Sequence, residues 1–148
     1  MNDMGTTTKT LYDTDFVEWT AHTAGLLRDG RLDEVDLEHV AEEIEDLGKS
    51  DQRAVRSHLS RLLKHQIKRK IQPERDGPSW RESITSSRED LDYTIADSPS
   101  LRRFLEKNLQ GIYRRALKDA LFETGLKSAD LPRDCPYTLD ELLERDDL

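Results

Sequence analysis

The stretch SPSLRRFLEKNLQGIYRRALKDALFETG, residues 98–125, decides the fold class. In it Leu101, Phe104, Leu105, Leu109, Ile112, Ala116 and Ala120 recur at intervals of three and four, the spacing that lines one face of an α-helix. A strand would need strict alternation of apolar and polar residues, which this stretch lacks. Ser98 followed by Pro99 predicts the start, because a proline in the first turn gives up a donor that has no partner there anyway. Gly125 predicts the end, as a residue that tolerates the left-handed conformation.

Working outward, the same pattern repeats. Ser79 with Glu82 has the spacing of a capping box and opens a helix carrying Trp80, Ile84, Ser87, Leu91 and Ile95 on one side. Before it, Val55, Leu59, Leu62, Leu63, Gln66 and Ile67 form a stripe that runs to Ile71, where Pro73 cannot continue the helix. Gly48–Asp51 interrupts the periodicity, which reads as a short break or a kink. Upstream of it Leu37, Val40, Ala41, Ile44 and Leu47 form a further apolar stripe. Asp15 with Glu18 caps a first helix that ends at Gly30, and Thr138 with Glu141 caps a short acidic helix near the C-terminus. The expected architecture is all-α: an antiparallel bundle of four or five main helices plus a short C-terminal helix. Residues 11–148 are expected to form a single helical domain, preceded by a polar, Thr-rich mobile tail over residues 1–10.

Composition narrows the function classes. Leu, Ile, Val and Phe supply 34 of 148 residues, about 23%, above the roughly 20% below which a highly charged chain stays disordered. Net charge is −8, which works against non-specific binding to nucleic acid or anionic membrane. The charge is unevenly placed: residues 1–48 hold 3 basic and 13 acidic side chains, whereas residues 49–88 hold 11 and 4. The single cysteine, Cys135, excludes an internal disulfide and a multi-thiolate metal site. With no signal-like leader and no apolar run near the ~18 residues of a membrane span, a cytoplasmic chain without membrane association is expected.

Several segments taken in order carry a resemblance. Glu42-Glu43-Ile44-Glu45-Asp46-Leu47-Gly48 is followed by Gln72-Pro73-Glu74-Arg75, Ser79-Trp80-Arg81 and Ser98-Pro99-Ser100-Leu101. Asp15-Phe16 and Trp19 precede them and Glu123-Thr124 follows. Together they resemble the bacterial family catalogued as domain of unknown function 29, from about Leu11 to Tyr137. The resemblance implies a compact all-α protein with no established activity, cofactor or partner. Where that family often has aromatic residues before the Gln-Pro, this chain has Arg69 and Ile71.

No catalytic set emerges. His39 with Glu42 or Glu43 has the spacing of carboxylate-bridged bundle metals. At about 100° per residue, however, His39, Glu42 and Asp46 point away from the Leu37–Leu47 stripe that a core metal would face. Arg53 and His58 have the spacing of some helical ribonucleases, but 15 Arg and 4 His make one such match expected by chance. The remaining candidates are a ligand or interaction cluster of Glu43, His65, Arg75, Trp80 and Arg81, and two basic helix faces. One face is Arg53, Arg61, Lys64 and Lys68; the other is Arg103, Lys107, Arg114 and Lys118. No catalytic, cofactor-binding or metal-ligating residue is assigned. The expected function is a non-enzymatic interaction module that binds a protein partner or itself. The alternatives are nucleic-acid binding through the basic faces, or a hydrolytic or metal-dependent enzyme with a site near Glu43 and His65.

Overall fold

Asp15 opens the first helix, α1 (Phe16–Arg28), by accepting from the Glu18 backbone N–H at 3.1 Å. The helix closes on Gly30 at φ 71°, where the Gly30 and Arg31 N–H groups reach back to the carbonyls of Leu27 and Leu26. That double return is a Schellman motif, and it needs the left-handed residue that glycine supplies. A computed structural model describes residues 11–127 and 130–144 of the chain. The tail expected over residues 1–10 lies outside the described residues.

A 3₁₀ turn at Leu32–Glu34 leads to α2 (Leu37–Ile71), a single helix of 35 residues. Of the two readings of Gly48–Asp51, a short break or a kink, the break is excluded, since the helix runs through without interruption. A glycine inside a helix costs about 1 kcal/mol relative to alanine, too little to interrupt so long a run. A second 3₁₀ turn, Pro73–Arg75, leads to α3 (Pro78–Asp97). The box expected from Ser79 and Glu82 is not formed, because Pro78 takes the first helical position and Gly77 stands at the cap without a side-chain bond. Helix α4 (Ser100–Thr124) starts one residue later than Pro99 suggests and ends on Gly125 at φ 73°. In α5 (Leu139–Glu144) both arms of the Thr138–Glu141 box are present, at 3.2 and 3.4 Å. The described residues contain no strand, so the all-α expectation holds.

The chain divides into two compact units, Met1–Lys49 and Ser50–Leu148. In the second, the stripe Val55, Leu59, Leu62, Leu63 and Ile67 of α2 is buried with Ile84 and Leu91 of α3 and with Leu101, Leu105, Leu109, Ile112, Ala116 and Ala120 of α4. Short connections make these three segments run antiparallel in sequence order. Leu139, Leu142 and Leu143 of α5 add to the same core, and α5 contacts both α3 and α4.

Within this core Gln66 is 1% exposed, and neither of its side-chain polar atoms finds a hydrogen-bond partner among the described residues. An unsatisfied buried amide costs on the order of 1–3 kcal/mol. Gln66→Met, close in volume and free of polar hydrogens, should therefore raise stability by about 1 kcal/mol. Thermal and urea unfolding test this, and a fall in stability would mean that the amide is satisfied after all.

Candidate interaction surfaces

In the N-terminal unit most of the apolar stripe of α2 is uncovered, only Val40 of its five residues being half-buried. Asp36, His39, Val40 and Glu43, spaced i, i+3, i+4 and i+7, are buried or half-buried, while Leu37, Ile44 and Leu47 are 60%, 63% and 70% exposed. The expectation that Leu37–Leu47 faces a core is thus corrected. Aromatic residues explain the exchange. The Tyr12 ring stacks on His39 with centroids 3.8 Å apart and meets Trp19 edge-on at 4.9 Å. Its hydroxyl donates to Glu43 Oε1 at 2.7 Å. That bond, with burial and the charges of Glu43, Glu42 and Asp46, pushes the Tyr12 pKa up to about 12. His39 Nδ1 lies against the buried Asp36 carboxylate, which raises its pKa despite partial desolvation. Phe16 and Val17 of α1, 46% and 76% exposed, add to the uncovered apolar surface of this unit.

In the C-terminal unit Trp80 and Arg81 each meet residues outside the cluster expected from the sequence. Asp76 is a hub: Arg81 approaches at 3.3 Å and Arg69 at 3.1 Å. Burial of the Asp76 carboxyl opposes ionisation, but contacts with Arg81 and Arg69 outweigh it and hold the group below its usual range. Lys68 lies over the Trp80 ring at 5.8 Å, a cation–π arrangement. Arg69, Arg81, Ile84 and Thr85 line an open cleft of about 330 Å³. The His65 ring bonds through Nδ1 to the Arg61 carbonyl at 2.8 Å. Its pKa is lowered, first by burial and then by Lys68, Lys64 and Arg61. Arg75 is exposed on its 3₁₀ turn. Glu43 belongs to the other unit, engaged by Tyr12, and precedes His65 on α2 by about six helical turns.

Four of the eight residues of the two basic faces are engaged. Glu123 receives both Lys64, at 3.0 Å, and Lys68, and these contacts hold its carboxyl below the usual range against the effect of burial. Arg61 donates to Ser83 at 3.3 Å and Arg114 pairs with Asp134 at 2.9 Å. Arg53, Arg103, Lys107 and Lys118 are exposed. His58 faces Asp90 at 3.7 Å. Among the described residues no group of three or more His, Cys, Asp or Glu side chains could hold a metal ion, and no helix is long and apolar enough to cross a membrane. Burial lifts the Cys135 thiol to about 11, with Glu141 adding to the effect. It is therefore a poor nucleophile at neutral pH.

Comparison with known proteins places this geometry in context. Residues 11–148 match the model of the family described as Domain of unknown function DUF29. The chain is 30% identical to an alpha-helical protein of unknown function from Rhodospirillum rubrum ATCC 11170, solved as a crystal structure at 1.45 Å resolution. The match covers 91% of this chain and 90% of that one, with a TM-score of 0.63. No curated protein matches.

The two perturbed histidines should titrate on opposite sides of the ordinary value of 6.5. A raised folded pKa means that the contribution of His39 to stability is complete below pH 6.5 and is lost as pH rises through the folded value. A lowered one means that His65 opposes folding in acid, and that this penalty lifts as pH rises through the folded value towards 6.5. NMR titration of the ring protons checks both, and a His39 midpoint below that of His65 would contradict the described environments.

Proposed function

Because the chain belongs to the DUF29 family, which is defined without an activity, its function must be read from its own surface. We propose that it is a non-enzymatic helical interaction module whose N-terminal unit docks a protein partner along the Leu37–Ile44–Leu47 face of α2. One observation carries this reading: these three side chains are at least 60% exposed, although they continue the stripe that α2 buries further on. In sequence, Leu37 and Val55 lie 18 residues apart, a whole number of turns at about 3.6 residues each. Fully covering such a side chain is worth about 1.5–3 kcal/mol, and contiguous exposed apolar surface of this kind marks association sites.

Charge selects the partner. Along one side the face is bordered by the exposed Glu38 and Glu45, so it suits an apolar surface edged with basic groups and repels an acidic one. The chain itself supplies that complement, with net +7 over residues 49–88 against −10 over residues 1–48. A second copy is therefore the partner proposed first. Nucleic-acid binding through the basic faces has less support, since Lys64, Lys68 and Arg114 already have acidic partners. The absence of a convergent catalytic set weighs in the same direction against an enzyme.

Sedimentation velocity across a wide concentration range tests the reading. Self-association that weakens with salt is expected, and the double variant Ile44→Lys, Leu47→Lys should weaken it at least about tenfold, equivalent to 1.4 kcal/mol. A wild-type chain that stays monomeric at every concentration and salt, or a double variant that associates as strongly as wild type, would contradict it.

A further inference from the structure

Arg56 and Ser60 stand one turn apart on α2, and Asn108, Gly111 and Arg115 stand at i, i+3 and i+7 on α4. The two rows face each other across an open groove of about 240 Å³, floored by Ile112. All of these residues lie in the C-terminal unit, whereas Leu37, Ile44 and Leu47 belong to the N-terminal one.

Three features set the groove apart from the other cationic surfaces of the chain. First, its lining has two guanidinium groups and no acid. Several other arginines are neutralised: Arg69 and Arg81 by Asp76, Arg102 by Asp140, and Arg114 by Asp134. Among the described residues neither Arg56 nor Arg115 makes an ion pair, although Asp119 is only one turn beyond Arg115. Second, the donors are held in place yet uncommitted. The Arg56 guanidinium lies over the Phe104 ring at 5.3 Å, which fixes its position without using its N–H groups. Asn108 Nδ2 spends one hydrogen on the Phe104 carbonyl at 2.7 Å and keeps the other. The Ser60 hydroxyl is half-buried and has no hydrogen bond among the described residues. Third, packing does not account for Gly111. Glycine in a helix interior is unfavourable relative to alanine, and a Cβ here would meet nothing within 4 Å. What its missing side chain does is leave the groove open.

We propose that this groove binds a phosphate-bearing small-molecule anion, with Arg56 and Arg115 clamping its oxygens from opposite helices. Ser60 and Asn108 donate to the same group. Paired guanidinium groups match the planar, multi-oxygen faces of phosphate better than any other side chain, and an uncharged floor leaves that charge unopposed.

Calorimetric titration of the full chain with inorganic pyrophosphate, at about 0.15 M salt, tests the site. Saturable one-site binding is expected, weakened about tenfold or more by Arg115→Gln, since a hydrogen bond to a charged group is lost. Gly111→Leu should weaken it similarly by filling the groove, while the melting temperature holds or rises, which separates blocking from unfolding. Failure to saturate, or equal affinity in both folded variants, would overturn the proposal. A short duplex oligonucleotide separates the two sources of phosphate. If it binds through Arg56 and Arg115 while pyrophosphate does not, the small-molecule site is excluded.

Discussion

The structure depends on one constraint: α2 carries a single apolar stripe along its length, and the C-terminal unit buries only the later part of it. Val55, Leu59 and Leu62 are wholly inaccessible, and α3, α4 and α5 are all assembled against that core. Truncating a buried leucine of this kind typically costs about 2–5 kcal/mol, so the C-terminal unit cannot hold its shape without that edge. Leu37, Ile44 and Leu47 extend the same edge into water. A helix that is apolar where nothing covers it needs a reason, and in the N-terminal unit the reason is local competition. Aromatic residues pack on the neighbouring polar face instead, where Tyr12 can satisfy Glu43 and stack on His39.

Electrostatics follows from the same arrangement. The acidic N-terminal segment leaves Glu38 and Glu45 exposed beside the apolar face, whereas four cations of the basic segment are paired with acids. Glu123 answers Lys64 and Lys68, and Asp76 answers Arg69 and Arg81. Lys64, Lys68, Arg69 and Asp76 are half-buried in these pairs, whereas Arg81 stays exposed. The pairs bear on recognition: they neutralise positive surface that would otherwise attract polyanions. Arg56 and Arg115 escape this neutralisation.

Much of the fold was legible because several local signals agreed. Apolar spacing in residues 101–120, the left-handed glycines Gly30 and Gly125, and the Asp15 and Thr138 caps are all read within a few residues. Gly48 left a break and a kink both open, because a single helix-weakening residue does not by itself decide whether so long a helix continues. The Leu37–Leu47 stripe misled. Periodicity says which face of a helix is apolar, not whether anything covers it, and no local signal announced Tyr12 packing on His39. Asp76, which gathers Arg69 and Arg81, could not be read from the sequence, since a lone aspartate in a loop has no spacing to recommend it. Arg56 and Arg115 were passed over because each falls outside the basic stripe on its own helix. Only the pairing of two helices makes them a set.

The central claim is that one stripe on α2 is covered over Val55–Leu62 and bare over Leu37–Leu47. Methyl relaxation enhancement by a soluble paramagnetic agent measures this directly, at a concentration where the chain sediments as a monomer. Ile44 and Leu47 methyls should relax strongly and Leu59 and Leu62 methyls scarcely at all. Equal shielding of all four in the monomer would mean that the N-terminal stripe is already covered by the chain itself.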